Sequence, residues 1–175
     1  MKYRYIDKLP KNVATLSDEE YMFLAEYVKE RGYATCLEFG PGVSTWALLD
    51  GGCEVIVTLE YENNWLARAF EVFGSVPEVE VHGFENVPEI DVPSVNGLRF
   101  DMAFVDSPSF LTCKHLNRLN TCEFAAKHTD AILLHDATRS YEVLTQKVFE
   151  EKGWDVELVL PSDAERGISL IRRSR

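Results

Sequence analysis

Short apolar runs alternate along the chain with segments whose apolar residues repeat every three to four positions. The first kind is typical of strands and the second of helices that cover them. The pattern predicts strands over 36–39, 55–59, 79–81, 100–105, 131–134, 155–160 and 167–171, and helices over 44–49, 63–73, 112–127 and 140–152. Strands that are apolar throughout, rather than at every second position, indicate a parallel sheet covered by helices.

A further helix is predicted ahead of this pattern. Ser17 and Glu20 have the spacing of a capping box, and Gly32 marks the helix end. We expect residues 1–33 to form an arm and this helix within a single domain that spans 1–175. The aromatic-rich arm is interpreted as a packing or disordered segment, with a lid over the site as the alternative.

The last two predicted strands have no room for a helix between them, so they are expected to form an antiparallel hairpin. Right-handed crossovers between the other strands leave few topologies, chiefly the doubly wound kind. The predicted fold class is therefore α/β, with a doubly wound, mostly parallel seven-stranded sheet, a C-terminal antiparallel hairpin and helices on both faces.

Charge and composition narrow the classes of partner. The chain carries 18 basic and 29 acidic side chains, a formal net charge of -11, which disfavours nucleic acid as a partner. Its 4 cysteines form no C-x-x-C pair, and buried reduced thiols are expected. Without a signal peptide or an apolar run of about 20 residues, a cytoplasmic protein with no membrane partner is expected. A homodimer is left open.

The first candidate site is the loop at residues 40–42, which follows the first strand of the sheet. Ligands of open parallel sheets bind beyond the carboxyl ends of the strands, where glycines let the backbone approach closely. Glu60 ends the second strand, 20 residues after Gly40. An acidic group at this spacing accepts hydrogen bonds from both hydroxyls of a ribose. The two features together predict binding of an adenosine.

The loop also distinguishes between adenosine ligands. A dinucleotide loop has a third glycine where this chain has Thr45, and it holds a pyrophosphate with backbone N–H groups, which Pro41 lacks. S-adenosylmethionine (SAM) has no phosphate and carries a cationic sulfonium, which favours a nearby carboxylate. Glu38, just before the loop, is the candidate for that carboxylate. The pattern therefore predicts SAM rather than NAD.

A second set of polar residues follows the fourth and fifth predicted strands. Asp106 follows the fourth strand, and His135 and Asp136 follow the fifth, with Arg139 close behind. Because neighbouring strands lie about 5 Å apart, these side chains are expected to gather at the carboxyl edge of the sheet, beside the transferable methyl. They are the candidate catalytic residues.

Three interpretations of this set stay open. Asp106 and Asp136, with or without His135, hold a Mg²⁺ or Mn²⁺ ion that lowers the pKa of an acceptor hydroxyl. Alternatively, His135 or Asp106 is a general base and Arg139 binds an acidic group of the substrate. In the third interpretation the two aspartates cap the following helices and Arg139 pairs with one of them.

Residues 37–45 resemble motif I of the class I SAM-dependent methyltransferases, and Leu59-Glu60 resembles motif II. The similarity runs from about residue 17 to the C-terminus. It implies that motif I holds the methionine part of SAM, that Glu60 holds the ribose, and that Phe84 stacks on the adenine. The cofactor-binding residues so implied are Glu38, Gly40, Pro41, Gly42, Ser44, Glu60, Phe84 and Asp106.

The second set sharpens the resemblance. A Val-Asp-x-Pro step at 105–108 and a His-Asp-x-x-Arg step at 135–139 are similar to the polysaccharide-biosynthesis methyltransferases, including the glucuronoxylan 4-O-methyltransferases, and to small bacterial methyltransferases of unassigned substrate. Metal-dependent catechol-type enzymes have Asp-Asn where this chain has His135-Asp136. The resemblance implies a SAM-dependent O-methyltransferase that acts on a hydroxylated small molecule or a sugar. The alternative is a non-catalytic SAM- or adenosine-binding module that supports a larger enzyme.

Overall fold

The computed structural model describes residues 16–85, 89–108, 118–162 and 166–174. The predicted N-terminal arm and the first part of the helix predicted from residue 112 lie outside these residues. Within them, helices and strands alternate as α1 Asp18–Arg31, β1 Thr35–Phe39, α2 Val43–Gly51, β2 Val55–Glu60, α3 Asn63–Phe73, β3 Val79–Gly83, β4 Met102–Val105, α4 Leu119–His128, β5 Ala131–His135, α5 Ser140–Glu151, β6 Trp154–Leu160 and β7 Ile168–Arg173.

The strands form one seven-stranded sheet in the order β3-β2-β1-β4-β5-β7-β6. Strands β1 to β5 pair in parallel, whereas β7 runs antiparallel to both β5 and β6. The chain therefore starts in the middle of the sheet, winds to one edge, returns past β1, and ends with the hairpin. This arrangement confirms the predicted fold class, including the antiparallel hairpin.

Helices cover both faces of the sheet. Successive residues of β4 point to opposite faces, as the pleat requires: Met102 and Phe104 belong to one buried cluster, and Ala103 and Val105 to the other. The first cluster includes apolar residues of α1, α2 and α3, and the second includes residues of α4 and α5. The central strands β1, β4 and β5 are thus buried from both sides, which explains why their sequences are mostly apolar.

The first helix begins and ends where the sequence predicts. Ser17 Oγ accepts from the backbone N–H of Glu20 at 3.2 Å, and Glu20 Oε2 accepts from the backbone N–H of Ser17 at 2.7 Å. Gly32 ends the helix with φ 66°, in the left-handed region that favours glycine. These contacts confirm the capping box.

The fourth strand begins two residues later than predicted, because Asp101 is used as a tie to β1. Its Oδ2 accepts from the backbone N–H groups of Ala34 and Thr35 at 2.8 and 2.9 Å. The Asp101 carboxylate therefore links the amino ends of β1 and β4.

Cys36, Cys53 and Cys122 are buried free thiols, as predicted; Cys113 lies outside the described residues. In the described parts of the chain, no helix combines the length and the apolar character needed to cross a membrane.

Candidate active site

Four strands of the sheet end level with one another at its carboxyl edge. Phe39 of β1 pairs with Leu59 of β2 and with Val105 of β4. Val105 pairs in turn with Leu134 of β5. The residues that follow these positions form a row along the edge, and they are Gly40, Glu60, Asp106 and His135. The structure thus brings the two predicted sets of site residues together.

The loop after β1 passes close to the end of β4. Gly40 has φ 90°, and a Cβ added there would lie 3.0 Å from Cβ of Ser107, so the position requires glycine for two reasons. A Cβ added to Gly42 would meet no atom of the described chain within 4 Å. Pro41, between them, is half-buried. The loop therefore packs on β4 at one glycine and leaves open space at the other.

Glu38 supports this loop from within the core. Both its oxygens accept hydrogen bonds from hydroxyls, Oε1 from Ser44 at 2.6 Å and Oε2 from Thr45 at 2.8 Å. The Thr45 hydroxyl accepts in turn from the backbone N–H of Gly42 at 3.0 Å. Burial raises the pKa of Glu38 to about 7, outweighing these hydrogen bonds. Glu38 and Ser44 thus stabilise the conformation of the loop. Any effect of Glu38 on a sulfonium is therefore indirect, through the loop.

One oxygen of the Glu60 carboxylate is held by the backbone. Its Oε1 accepts from the backbone N–H groups of Tyr61 and Glu62, at 2.8 and 2.9 Å, which fixes the carboxyl group. Among the described residues, none donates to Oε2. Burial raises the pKa of Glu60, so the carboxylate gains from further donors. A ribose hydroxyl is such a donor, and the predicted role of Glu60 fits this geometry.

Phe84 lies in the core rather than on an open surface. Its ring packs edge-on against Phe39, with centroids 5.7 Å apart, and against Tyr61 at 6.0 Å. The side chain belongs to the buried cluster on the α4 and α5 face of the sheet. Its stacking on adenine stays a prediction, and this packing does not favour it.

His135 bridges two carboxylates. Its Nδ1 lies 2.7 Å from Oδ1 of Asp106, and its Nε2 lies 3.0 Å from Oε1 of Glu20. Because ionised carboxylates only accept, both ring nitrogens donate and the ring is an imidazolium. Burial acts to lower the pKa of His135, but the charge and hydrogen bond of Asp106 and the bond to Glu20 raise it to about 9. An imidazolium has no lone pair for a proton, so this state does not provide the expected general base.

Asp106 is the most open member of this group, with a side chain 22% exposed. Burial acts to raise its pKa, but the charges of His135 and Arg118 outweigh burial and lower it. Asp106 is therefore ionised at neutral pH and faces the open edge of the sheet next to Gly40. Its carboxylate can accept a hydrogen bond from a hydroxyl group of a substrate, and it is a weak base.

Arg118, which precedes α4, was not singled out by the sequence. Its guanidinium is 2% exposed and lies between two carboxylates, 3.1 Å from Oδ1 of Asp106 and 2.9 Å from Oδ2 of Asp136. It also donates to the backbone oxygens of His135 at 2.6 Å and Pro108 at 3.3 Å. One side chain therefore ties together the ends of β4 and β5.

Two further arginines complete the cluster around Asp136. Arg139 NH1 lies 2.7 Å from Oδ2 of Asp136, which is the pairing that one of the three interpretations predicts. Arg166 Nε lies 3.4 Å from Oε1 of Glu20 and 3.9 Å from Oδ1 of Asp136. Asp136 has φ 56°, and α5 begins after Arg139 without a side-chain cap, so Asp136 is not the predicted helix cap.

One of the three interpretations places a divalent metal among these residues. Asp106, His135 and Asp136 each offer a ligand atom, all within 4.8 Å of one another. However, Arg118 already lies between the two aspartates, and both ring nitrogens of His135 are hydrogen-bonded to carboxylates. A metal ligand must present a lone pair, which an imidazolium lacks. The metal does not fit the arrangement that the structure shows.

The fold is shared with several methyltransferases of known structure. No protein-family model matches the sequence, and no curated protein matches it. Solved structures do match. The O-methyltransferase from Bacillus cereus, solved with S-adenosylhomocysteine (SAH), has a TM-score of 0.69 and 19% identity over 95% of this chain and 86% of its own.

Two other neighbours show how widely the fold is used. TomG from Streptomyces achromogenes, an O-methyltransferase of tomaymycin synthesis solved with SAM, has a TM-score of 0.63 and 18% identity over 96% of this chain and 92% of its own. The 23S rRNA methyltransferase ErmE has a TM-score of 0.62 and 17% identity over 91% and 69%. These identities establish the fold but not the acceptor. The resemblance to glucuronoxylan methyltransferases stays a prediction.

Proposed function

We propose that the chain is a SAM-dependent O-methyltransferase that acts on a hydroxylated small molecule. The observation that carries the proposal is the row of Gly40, Glu60 and Asp106 along one edge of the sheet. The neighbours that were solved with SAM or SAH support it, because they have the same fold.

Glu60 and the loop that contains Gly40 suit different parts of the ligand. The carboxylate of Glu60 would accept from the ribose hydroxyls through Oε2. The space beside Gly42 would take the methionine part, and Pro41 presents no N–H that a phosphate would need. The residues present therefore fit SAM better than a dinucleotide.

Asp106 is proposed as the residue that orients the acceptor. A Cβ on Gly40 would lie 3.4 Å from the carbonyl carbon of Asp106, so the loop and this carboxylate adjoin. Bound SAM would supply a methyl group on a sulfonium, and transfer to the hydroxyl oxygen would form an O–C bond while the S–C bond breaks to give SAH. The hydroxyl proton would leave along its hydrogen bond to the Asp106 carboxylate and pass on to solvent. Asp106 would accept a hydrogen bond from the acceptor hydroxyl and direct its lone pair, which is catalysis by positioning.

The acceptor class is inferred from charge. A chain of formal net charge -11 disfavours a nucleic-acid acceptor, although one neighbour acts on rRNA. A small molecule or a sugar is proposed instead. Arg139, with a side chain 39% exposed, lies at the same edge and would bind a carboxylate on such an acceptor.

Calorimetric titration of SAM and SAH tests the proposal. Wild-type protein should bind both, and Glu60→Gln should bind about tenfold more weakly, because a hydrogen bond to a charged group is worth about 1.5 kcal/mol or more. Glu80→Gln, an exposed site on β3, is the matched control and should bind like wild type. Wild-type protein that binds neither ligand would contradict the proposal.

A second candidate is a SAM-binding module without its own acceptor. The contacts of two candidate catalytic residues favour it: both ring nitrogens of His135 are hydrogen-bonded to carboxylates, and Asp106 already faces the cationic groups of His135 and Arg118. Labelled SAM with a panel of phenols, catechols, sugars and uronic acids separates the two candidates. Tight SAM binding without transfer to any acceptor would favour the module, and any methylated product would exclude it.

A further inference from the structure

We propose that the guanidinium of Arg118 permanently occupies the cation position between Asp106 and Asp136, so that the chain completes this site without a divalent metal. The proposal is about which cation occupies this position. It rests on the proposed methyltransferase function only for its consequence, which is that methyl transfer needs no divalent metal. Its test measures metal binding and needs no turnover.

The contacts of Arg118 are those of a cation that belongs to the site. Its NH2 reaches both aspartates, at 3.1 Å from Asp106 and 2.9 Å from Asp136. Its NH1 and Nε donate to the backbone oxygens of His135 and Pro108. A guanidinium has five N–H donors in a fixed planar fork, so it can meet acceptors on two strand ends at once.

One carboxylate oxygen of each aspartate already faces two cationic groups. Oδ1 of Asp106 accepts from His135 and forms an ion pair with Arg118. Oδ2 of Asp136 accepts from Arg118 and pairs with Arg139 at 2.7 Å. The other oxygen of Asp136 is buried without a hydrogen bond, and Arg166 Nε lies 3.9 Å from it. A metal that bound both Oδ1 of Asp106 and Oδ2 of Asp136 would have to displace the guanidinium of Arg118.

The charges of the cluster argue the same way. Its acidic members are Glu20, Asp106, Asp136 and Glu142, and its basic members are Arg118, His135, Arg139 and Arg166. Buried charges are tolerated when they are paired, and here the buried guanidinium of Arg118 lies between two carboxylates. A divalent ion placed between the same carboxylates would meet a positive charge that is already there.

Titration with Mn²⁺, followed by the electron paramagnetic resonance signal of free Mn²⁺, tests the proposal directly. The full chain should leave the signal unchanged, and Asp136→Asn should behave the same way. Binding of one Mn²⁺ per chain that is lost in both Asp106→Asn and Asp136→Asn would overturn the proposal. Mn²⁺ binding that neither substitution changes would be at another site. Arg118 would then still occupy the position between Asp106 and Asp136, as proposed.

Variants of Arg118 add a result that a purely structural role would not produce. Arg118→Met removes the cation but keeps much of the side-chain volume, and it should gain a rise in melting temperature on addition of Mn²⁺ that wild type lacks. Arg118→Lys keeps the charge and should show no such rise. A folded Arg118→Met that responds to Mn²⁺ no more than wild type would count against the proposal. If Arg118→Met does not fold, the wild-type titration still decides.

SAM calorimetry on the same samples separates the two claims. If wild type binds SAM but not Mn²⁺, both stand. If it binds neither, the proposed function fails while the assignment of Arg118 stands, and if it binds both at the predicted residues, only the assignment of Arg118 fails.

Discussion

The Nε2 atom of His135 lies 3.0 Å from Oε1 of Glu20, which is 115 residues earlier in the chain. Glu20 therefore performs two tasks, since its other oxygen closes the capping box of α1. Through His135 the same carboxylate also reaches Asp106, the proposed acceptor-binding residue. The first helix is thus connected to the candidate active site by two consecutive hydrogen bonds.

The protonation of His135 should make stability fall at alkaline pH. The pKa of His135 is about 9 in the folded chain and 6.5 when unperturbed, so its stabilisation is complete below about pH 6.5 and is lost as pH rises through about 9. The loss is on the order of 3 kcal/mol. Urea unfolding between pH 6 and 10 should show this fall in wild type and not in His135→Asn.

His82→Asn is the control for this experiment, because His82 is a partly exposed histidine at the end of β3. It should keep the wild-type dependence of the unfolding free energy on pH. Parallel curves for wild type and His135→Asn would mean that His135 is not held as an imidazolium.

Glu38 should also make stability fall as pH rises, but at lower pH values than His135. Burial raises its pKa from 4.5 to about 7, so its ionisation costs stability as pH rises from about 4.5 to about 7. Glu38→Gln mimics the protonated form. Its unfolding free energy relative to that of wild type should therefore increase by on the order of 3 kcal/mol as pH rises over this interval. The difference should be constant above pH 7, and a difference that does not change with pH contradicts the raised pKa.

The two glycines of the loop should respond differently to alanine. Gly40→Ala should lower the unfolding free energy by about 1–3 kcal/mol, because its φ is 90° and the added Cβ meets Ser107. Gly42→Ala should fold normally but bind SAM more weakly, because its Cβ enters the open space beside the loop. Denaturant unfolding and SAM calorimetry measure the two effects. Unchanged SAM affinity in Gly42→Ala would move the ligand away from this loop.

Asp106→Asn should separate binding from transfer. An amide keeps the size of the side chain but loses the charge that pairs with His135 and Arg118. We expect SAM affinity within about threefold of wild type, and transfer to any acceptor that wild type methylates to fall by about 10² or more, the scale of losing one positioned group. Equal loss of binding and transfer would place Asp106 in cofactor binding alone.

The fold could be predicted because its evidence is local. Each signal acts on residues close to it in the sequence. These signals are the apolar runs, the capping box of Ser17 and Glu20, and the glycines after β1. The order of elements then restricts the topology. The level ends of the strands follow from that topology, so Gly40, Glu60 and Asp106 could be placed at one edge before any contact was known.

The ion-pair cluster could not be predicted in the same way. Arg118 lies in a predicted helix with no motif around it, and nothing local separates it from a surface arginine. Glu20 already had a complete explanation as a capping residue. Their contacts with Asp136 and His135 span long stretches of sequence, and the protonation of His135 depends on both carboxylates at once. Acidic and histidine residues at strand ends therefore suggested a metal, and a buried arginine changes that interpretation.

A crystal structure with SAH bound tests the central claim most directly. The account predicts the ribose hydroxyls at Oε2 of Glu60, the homocysteine part against Gly42, and the sulfur on the side of Asp106. SAH bound elsewhere on the chain, or with its ribose away from Glu60, would contradict the assignment of this edge as the active site.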